Sequence, residues 1–92
     1  MKWVVCFDIS DDKKRKIIGD TLEEYGVRVQ RSVFEIEITE KKLRDIIKKF
    51  DEMIDVREDS VRFYPFHKDT LRKTICLGFG LDAFEGKEVY FF

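Results

Sequence analysis

The sequence predicts a single α+β domain, with two helices on one face of a mainly antiparallel sheet. Three observations predict it. The chain is 92 residues long, which suits one domain with one core. Apolar residues recur at period two in several short runs and at helical spacing in two longer ones. The runs alternate as strand, helix, strand or hairpin, helix, strand, and then extra strands, a pattern that fits a layered sandwich.

The first strand is expected over Lys2 to Asp8. Its Trp3-Val4-Val5-Cys6-Phe7 run is nearly continuous, which predicts a central strand covered on both faces. Ser10 is the expected N-cap of the first helix, with Asp11 and Asp12 favourable in its first turn. Ile17, Ile18, Leu22 and Tyr25 make the apolar face of that helix. Gly26 stands where a helix C-terminus favours a left-handed residue.

In "VRVQRSVFEIEIT", Val27 and Val29 are apolar at odd positions, whereas Phe34, Ile36 and Ile38 are apolar at even ones. A strand cannot change phase without a device, because its side chains alternate faces. The break near Gln30 to Val33 is either a bulge in one bent strand or a tight hairpin between two. Thr39 is the expected N-cap of a second helix running to about Glu52, with Leu43, Ile46, Ile47, Phe50 and Ile54 facing the core. "DSVRFYPF" then reads as a strand with Val61 and Phe63 on one face and Arg62 and Tyr64 on the other. It ends, or lies at an edge, at Pro65. "HKDTLRK" is a polar loop, "TICLGFG" alternates again, and "EVYFF" ends the sequence. This order is that of a split βαβ, ferredoxin-like βαββαβ sandwich with an additional C-terminal strand, a single domain over 1–92. The architecture hosts many functions and names none.

Composition narrows the function classes. Charged residues are 40% of the chain, the net charge is −1 and the pI is about 5.9. These values argue against a surface coated for phosphate binding but leave room for a local basic stripe. Asn is absent and Gln occurs once, at Gln30, a hint of a thermophilic source. Cys6 and Cys76 lack metal-ligand spacing and are expected as buried free thiols. "MKWVVCFD" turns polar too soon for a signal peptide, and no apolar run is long enough to cross a bilayer, so a cytoplasmic protein without membrane contact is expected.

The chemistry concentrates in "VVCFDISDDKKRK", where an apolar run stops on Asp8 and Lys13, Lys14, Arg15 and Lys16 follow. A carboxylate ending a buried strand is costly unless it is exposed, paired or metal-bound. Its plain reading is a cap for the following helix or the strand's exit into water. One aspartate alone makes a poor Mg²⁺ site. The plain reading of the basic run is a solvated helix face; a nucleic-acid role needs it to join other cations, of which Arg28 and Arg31 are the candidates. Lys41, Lys42, Lys48 and Lys49 are interleaved with acids. His67, the sole histidine, falls in the polar loop, and no phosphate-binding glycine loop or nucleophile triad is present.

The combination of "VVCFDISDDKKRK", "YGVRVQRSVFEIEIT" and "IDVREDSVRFYPF" resembles the small CRISPR-associated protein of the spacer-acquisition machinery, the partner subunit of the CRISPR integrase. The resemblance covers nearly the whole chain. It implies a ferredoxin-like homodimer whose C-terminal strands, about 72–92, contribute to the dimer. It also implies that Asp8 is a ligand of a divalent metal, Mg²⁺ shared at the dimer axis, serving endonuclease activity. Arg15, Arg28, Ser32 and Phe34 match further family positions. Two positions depart from the pattern: Phe7 stands where Tyr is frequent, and Ile17 stands where some members carry a second arginine. Fewer polar groups near the metal weaken the case for cleavage.

Two functions are expected from this. The first is a dimeric scaffold that binds duplex DNA and the integrase, with Lys13–Lys16, Arg28 and Arg31 on the nucleic-acid backbone. The second is a Mg²⁺-dependent endonuclease acting on DNA or RNA, with Asp8 as the metal ligand and Phe7, Ser32 and Phe34 in support. The scaffold ranks first. An interaction module without nucleic acid is the plain alternative that the resemblance disfavours.

Overall fold

The computed structural model describes residues 1–65 together with the backbone of 74–78 and 89–91. Its elements are β1 (Lys2–Asp8), α1 (Asp12–Glu23), β2 (Gly26–Gln30), β3 (Val33–Glu37), α2 (Glu40–Met53), β4 (Ser60–Pro65), β5 (Thr74–Gly78) and β6 (Val89–Phe91). The sheet order is β2-β3-β1-β4-β5-β6. All pairs are antiparallel except β5 with β6, which is parallel. The first four strands and the two helices form the expected ferredoxin-like unit, and β5 and β6 extend its sheet. His67, the "HKDTLRK" loop, the link before "EVYFF" and Phe92 lie outside the described residues, as do the side chains of Cys76 and its neighbours. Among the described residues, no helix is long and apolar enough to cross a membrane.

The helices cover one face of the sheet. Val5, Phe34, Val61 and Phe63 point into that layer against Ile18, Leu22 and Phe50, all fully buried. Phe7 stacks on Phe34 at 6.1 Å and Phe50 on Phe63 at 6.4 Å, contacts that add to the area each ring removes from water. All five apolar residues expected to face the core from α2 are buried or at its buried end.

Four local expectations are corrected. β1 is central but not covered on both faces: Trp3, Val5 and Phe7 are buried, whereas Val4 and Cys6 are half-buried on a face that no helix covers. A continuous apolar run reports low polarity, not what lies above each face. The cap of α1 is Asp11, whose side chain accepts from the Lys14 N–H at 2.9 Å; Ser10 has a tertiary partner instead. Ile17 is 44% exposed, since Ile18 and Leu22, one turn apart, already define the buried stripe of α1. Gly26 does not cap α1, whose C-cap is Glu24; it opens β2.

The phase break in "VRVQRSVFE" uses both candidate devices. A tight Arg31-Ser32 turn joins β2 to β3, and the register also shifts between Arg28 and Gln30. A Cβ on Gly26 would lie 1.9 Å from the Glu35 carbonyl oxygen and 2.7 Å from the Ile36 Cα. Backbone cannot yield as a side chain does. The Gly26→Ala variant is therefore expected to lose about 3 kcal/mol, in the range of overpacked positions, with urea unfolding as the check. A midpoint unchanged from wild type would show that β2 and β3 do not approach this closely.

Candidate functional site

β1 and β4 run antiparallel with Asp8 opposite Ser60, Cys6 opposite Arg62 and Val4 opposite Tyr64. Because side chains alternate, all six share the helix-free face. Cys6, Phe7, Asp8, Ser60, Arg62 and Tyr64 line a shallow hollow of about 260 Å³ at its end. Asp8 is exposed there, as its plain reading requires. Burial pushes the Cys6 thiol up, against the opposing pull of the Arg62 guanidinium, so the thiol stays protonated at neutral pH and is a poor nucleophile.

The loop that leaves Asp8 is tied down from a distance. Asp59, 1% exposed, accepts through Oδ1 from the Ser10 N–H at 3.0 Å and the Ser10 hydroxyl at 3.2 Å. Its Oδ2 accepts from the Asp55 N–H at 2.9 Å. Burial pushes the Asp59 carboxyl up, but these hydrogen bonds and the nearby Lys14 charge outweigh it and hold the group below the usual carboxylate range. Arg15 closes the loop from the helix side, donating from Nη1 to the Ile9 carbonyl at 3.1 Å and pairing with Asp12.

The expected nucleic-acid residues gather only in part. Lys13 and Lys14 begin α1, a few residues past Asp8, and Lys13 is exposed. The Arg31-Ser32 turn lies at the same end, because the Phe7 N–H donates to the Ser32 carbonyl at 3.0 Å. Lys16 is paired with Asp20 at 2.9 Å. Arg28 lies on the helix side of the sheet, 4.7 Å over the Phe34 ring, with Glu23 at 3.5 Å and the Arg31 carbonyl as partners. Arg15 and Arg28 thus both have work inside the fold. Phe34 is fully buried beneath Arg28, a core residue with no face free for a base.

Among the described residues, no three His, Cys, Asp or Glu side chains converge on a point. Among the described residues Asp8 is the one carboxylate in the hollow, with the Ser60 hydroxyl opposite. That is half of a donor set for a hard divalent ion, which favours one or two carboxylates completed by water and phosphate oxygens. The described residues of one chain do not complete such a site. Sequence reasoning missed Asp59 altogether and gave Ser60, Arg62 and Tyr64 no site role. The alternation of "DSVRFY" against a strand ending in Asp8 was the signal that places the last three beside it.

A family model described as CRISPR associated protein Cas2 matches residues 1–74. A CRISPR-associated endoribonuclease Cas2 of Synechocystis sp. is 44% identical over 76 residues, 83% of each chain. The crystal structure of Streptococcus pyogenes Cas2 superposes with a TM-score of 0.67 at 32% identity, covering 75% of this chain and 89% of that one. A chain in a partial Cas6-RT-Cas1–Cas2 complex matches with a TM-score of 0.51 at 36% identity, covering 74% and 80%.

Proposed function

This chain belongs to the CRISPR-associated Cas2 family, and we propose that it serves CRISPR adaptation as a homodimeric scaffold that binds duplex DNA and the CRISPR integrase. The observation that carries the reading is the helix-free face of the sheet. Val4, Cys6 and Tyr64 are half-buried there with no layer above them among the described residues, and Asp8 stands at its end. Such a face suits a second copy related by a twofold axis. The likeness to a chain in a Cas1–Cas2 complex supports the integrase as the partner.

Twofold pairing also supports the second reading, a divalent-metal endonuclease, which the name of the Synechocystis relative favours. Two Asp8 carboxylates about 4 Å apart would repel by roughly 4 kcal/mol at an effective dielectric near 20. A divalent ion between them would remove that repulsion and supply Lewis-acid charge to a phosphate. Asp8 from each chain would hold it, and Lys13 and Lys14 would hold the phosphodiester backbone.

The C-terminal strands belong to this proposal. Within one chain, β6 lies on β5 and β5 on β4. In the dimer the Val89–Phe92 segment adds to the partner's sheet edge, which removes an exposed row of backbone groups. Light scattering on the full chain and on a chain ended after Gly86 tests the assembly. A full-length dimer and a truncated monomer are expected. A monomeric full chain, or truncation without effect on the dimer, contradicts it.

A further inference from the structure

We propose that Asp59 is a positioning residue for Asp8, fixing where the strand-end carboxylate stands although it does not itself enter the hollow. The inference deepens the reading of Asp8 as the catalytic carboxylate and rests on it. Asp59 precedes Ser60, the residue directly opposite Asp8, and its carboxylate holds Ser10, two residues past Asp8, by both the backbone N–H at 3.0 Å and the hydroxyl at 3.2 Å. The other oxygen holds the Asp55 N–H at 2.9 Å, so the Asp55–Asp59 turn cannot swing away with it. Asp8 is thus bracketed by one buried anion: through the ladder on one side and through its own exit loop on the other. The Arg15 bond to the Ile9 carbonyl at 3.1 Å fixes the residue between. An exposed carboxylate on an unanchored strand end would sample many positions. Charge-assisted bonds of this kind limit it to one.

Two variants test this. Asp59→Asn keeps one acceptor oxygen but turns an amide donor toward one of the two loops. Ser10→Ala keeps the N–H bond to Asp59 and removes the hydroxyl, which reaches Asp59 at 3.2 Å and the exposed Glu58 carboxylate at 3.4 Å, at an exposed position that leaves the core intact. The variants are compared with wild type in cleavage assays titrated with Mg²⁺ and in backbone ¹⁵N relaxation. Both are expected to remain folded dimers. In Asp59→Asn, kcat should fall about a hundredfold, as for a misplacement near 1 Å, while KM for the nucleic acid stays within about twofold; the Mg²⁺ half-saturation point should rise, and Ser10→Ala should lie between. The order parameters of the Asp8, Ile9 and Ser10 amides should drop from about 0.85 toward 0.6 in Asp59→Asn, with those of α2 unchanged. Unchanged order parameters at these three amides would overturn the positioning role whether or not the wild type cleaves. So would a kcat and Mg²⁺ requirement equal to those of a cleaving wild type. Absence of Asp8-dependent cleavage from the wild type, with the order parameters falling as described, would instead overturn the nuclease reading and leave the anchoring in place.

Discussion

Asp8→Asn is expected to abolish divalent-ion-dependent cleavage while leaving fold and dimer intact. The side chain is exposed and none of the hydrogen bonds that hold the exit loop involves it, since those run from Ser10 and Asp55 to Asp59 and from Arg15 to Ile9. Its replacement by a neutral isostere therefore costs the core nothing. The chemistry has no substitute among the described residues, because none of them brings a second carboxylate to the hollow and the nearby Cys6 stays protonated. In a dimer the change removes both carboxylates at once. A loss of roughly a thousandfold or more is in the range seen when a charge-stabilising group leaves an active site. The check is single-turnover cleavage of RNA and DNA at saturating Mg²⁺. Activity that survives the substitution, or persists in excess chelator, would move the chemistry away from Asp8.

The basic start of α1 gives the second large effect. Of the four consecutive cations, Arg15 braces the Ile9 carbonyl and Lys16 pairs with Asp20, so the probe is Lys13→Glu with Lys14→Glu, with a thermal melt to check that the Asp59 anchor near Lys14 is kept. These two residues are expected to hold phosphates without reading bases. Duplex DNA should bind the double variant more weakly and by the same factor across sequences. If each lysine makes one contact in each half of a dimer, the salt slope should fall by up to about 3.6, at roughly 0.9 per contact. Fluorescence anisotropy from low to high salt measures it. A slope equal to that of wild type would place the DNA on another surface, with Arg31 as the next candidate.

Much of the fold was legible because its signals are local. Helix periodicity in α2, its Thr39 cap and the alternation of "DSVRFYP" depend on neighbours within a few residues, and the structure keeps all of them. The failures share the opposite cause. Ser10 and Asp11 are equally good caps by type, and the choice between them was made by Asp59, 49 residues away in the chain. Gly26 has the right place for a helix stop, yet its requirement comes from the Glu35 carbonyl on the neighbouring strand. The half-open β1 misleads for a related reason: an apolar face reads the same whether a helix or a second copy covers it.

The site was legible in its most exposed member. Asp8 stands out because a carboxylate interrupts an apolar run, and that contrast survives in a single sequence. Arg28 was assigned by charge alone, and charge does not reveal that Glu23, Phe34 and the Arg31 carbonyl already engage it. Asp59 was invisible because an acid beside other acids, in "REDS", resembles a solvated loop until its partners are seen.

The scaffold reading is tested most directly by an integration assay that compares Asp8→Ala with the Lys13→Glu and Lys14→Glu double variant, each with the integrase and a short duplex. Scaffolding needs the dimer and its grip on phosphates, not the carboxylate. Integration should therefore persist with Asp8→Ala and fall with the double variant in proportion to its lost DNA affinity. Integration stopped by Asp8→Ala, with assembly and DNA binding intact, and unaffected by the double variant would contradict the account and make the carboxylate's chemistry the function.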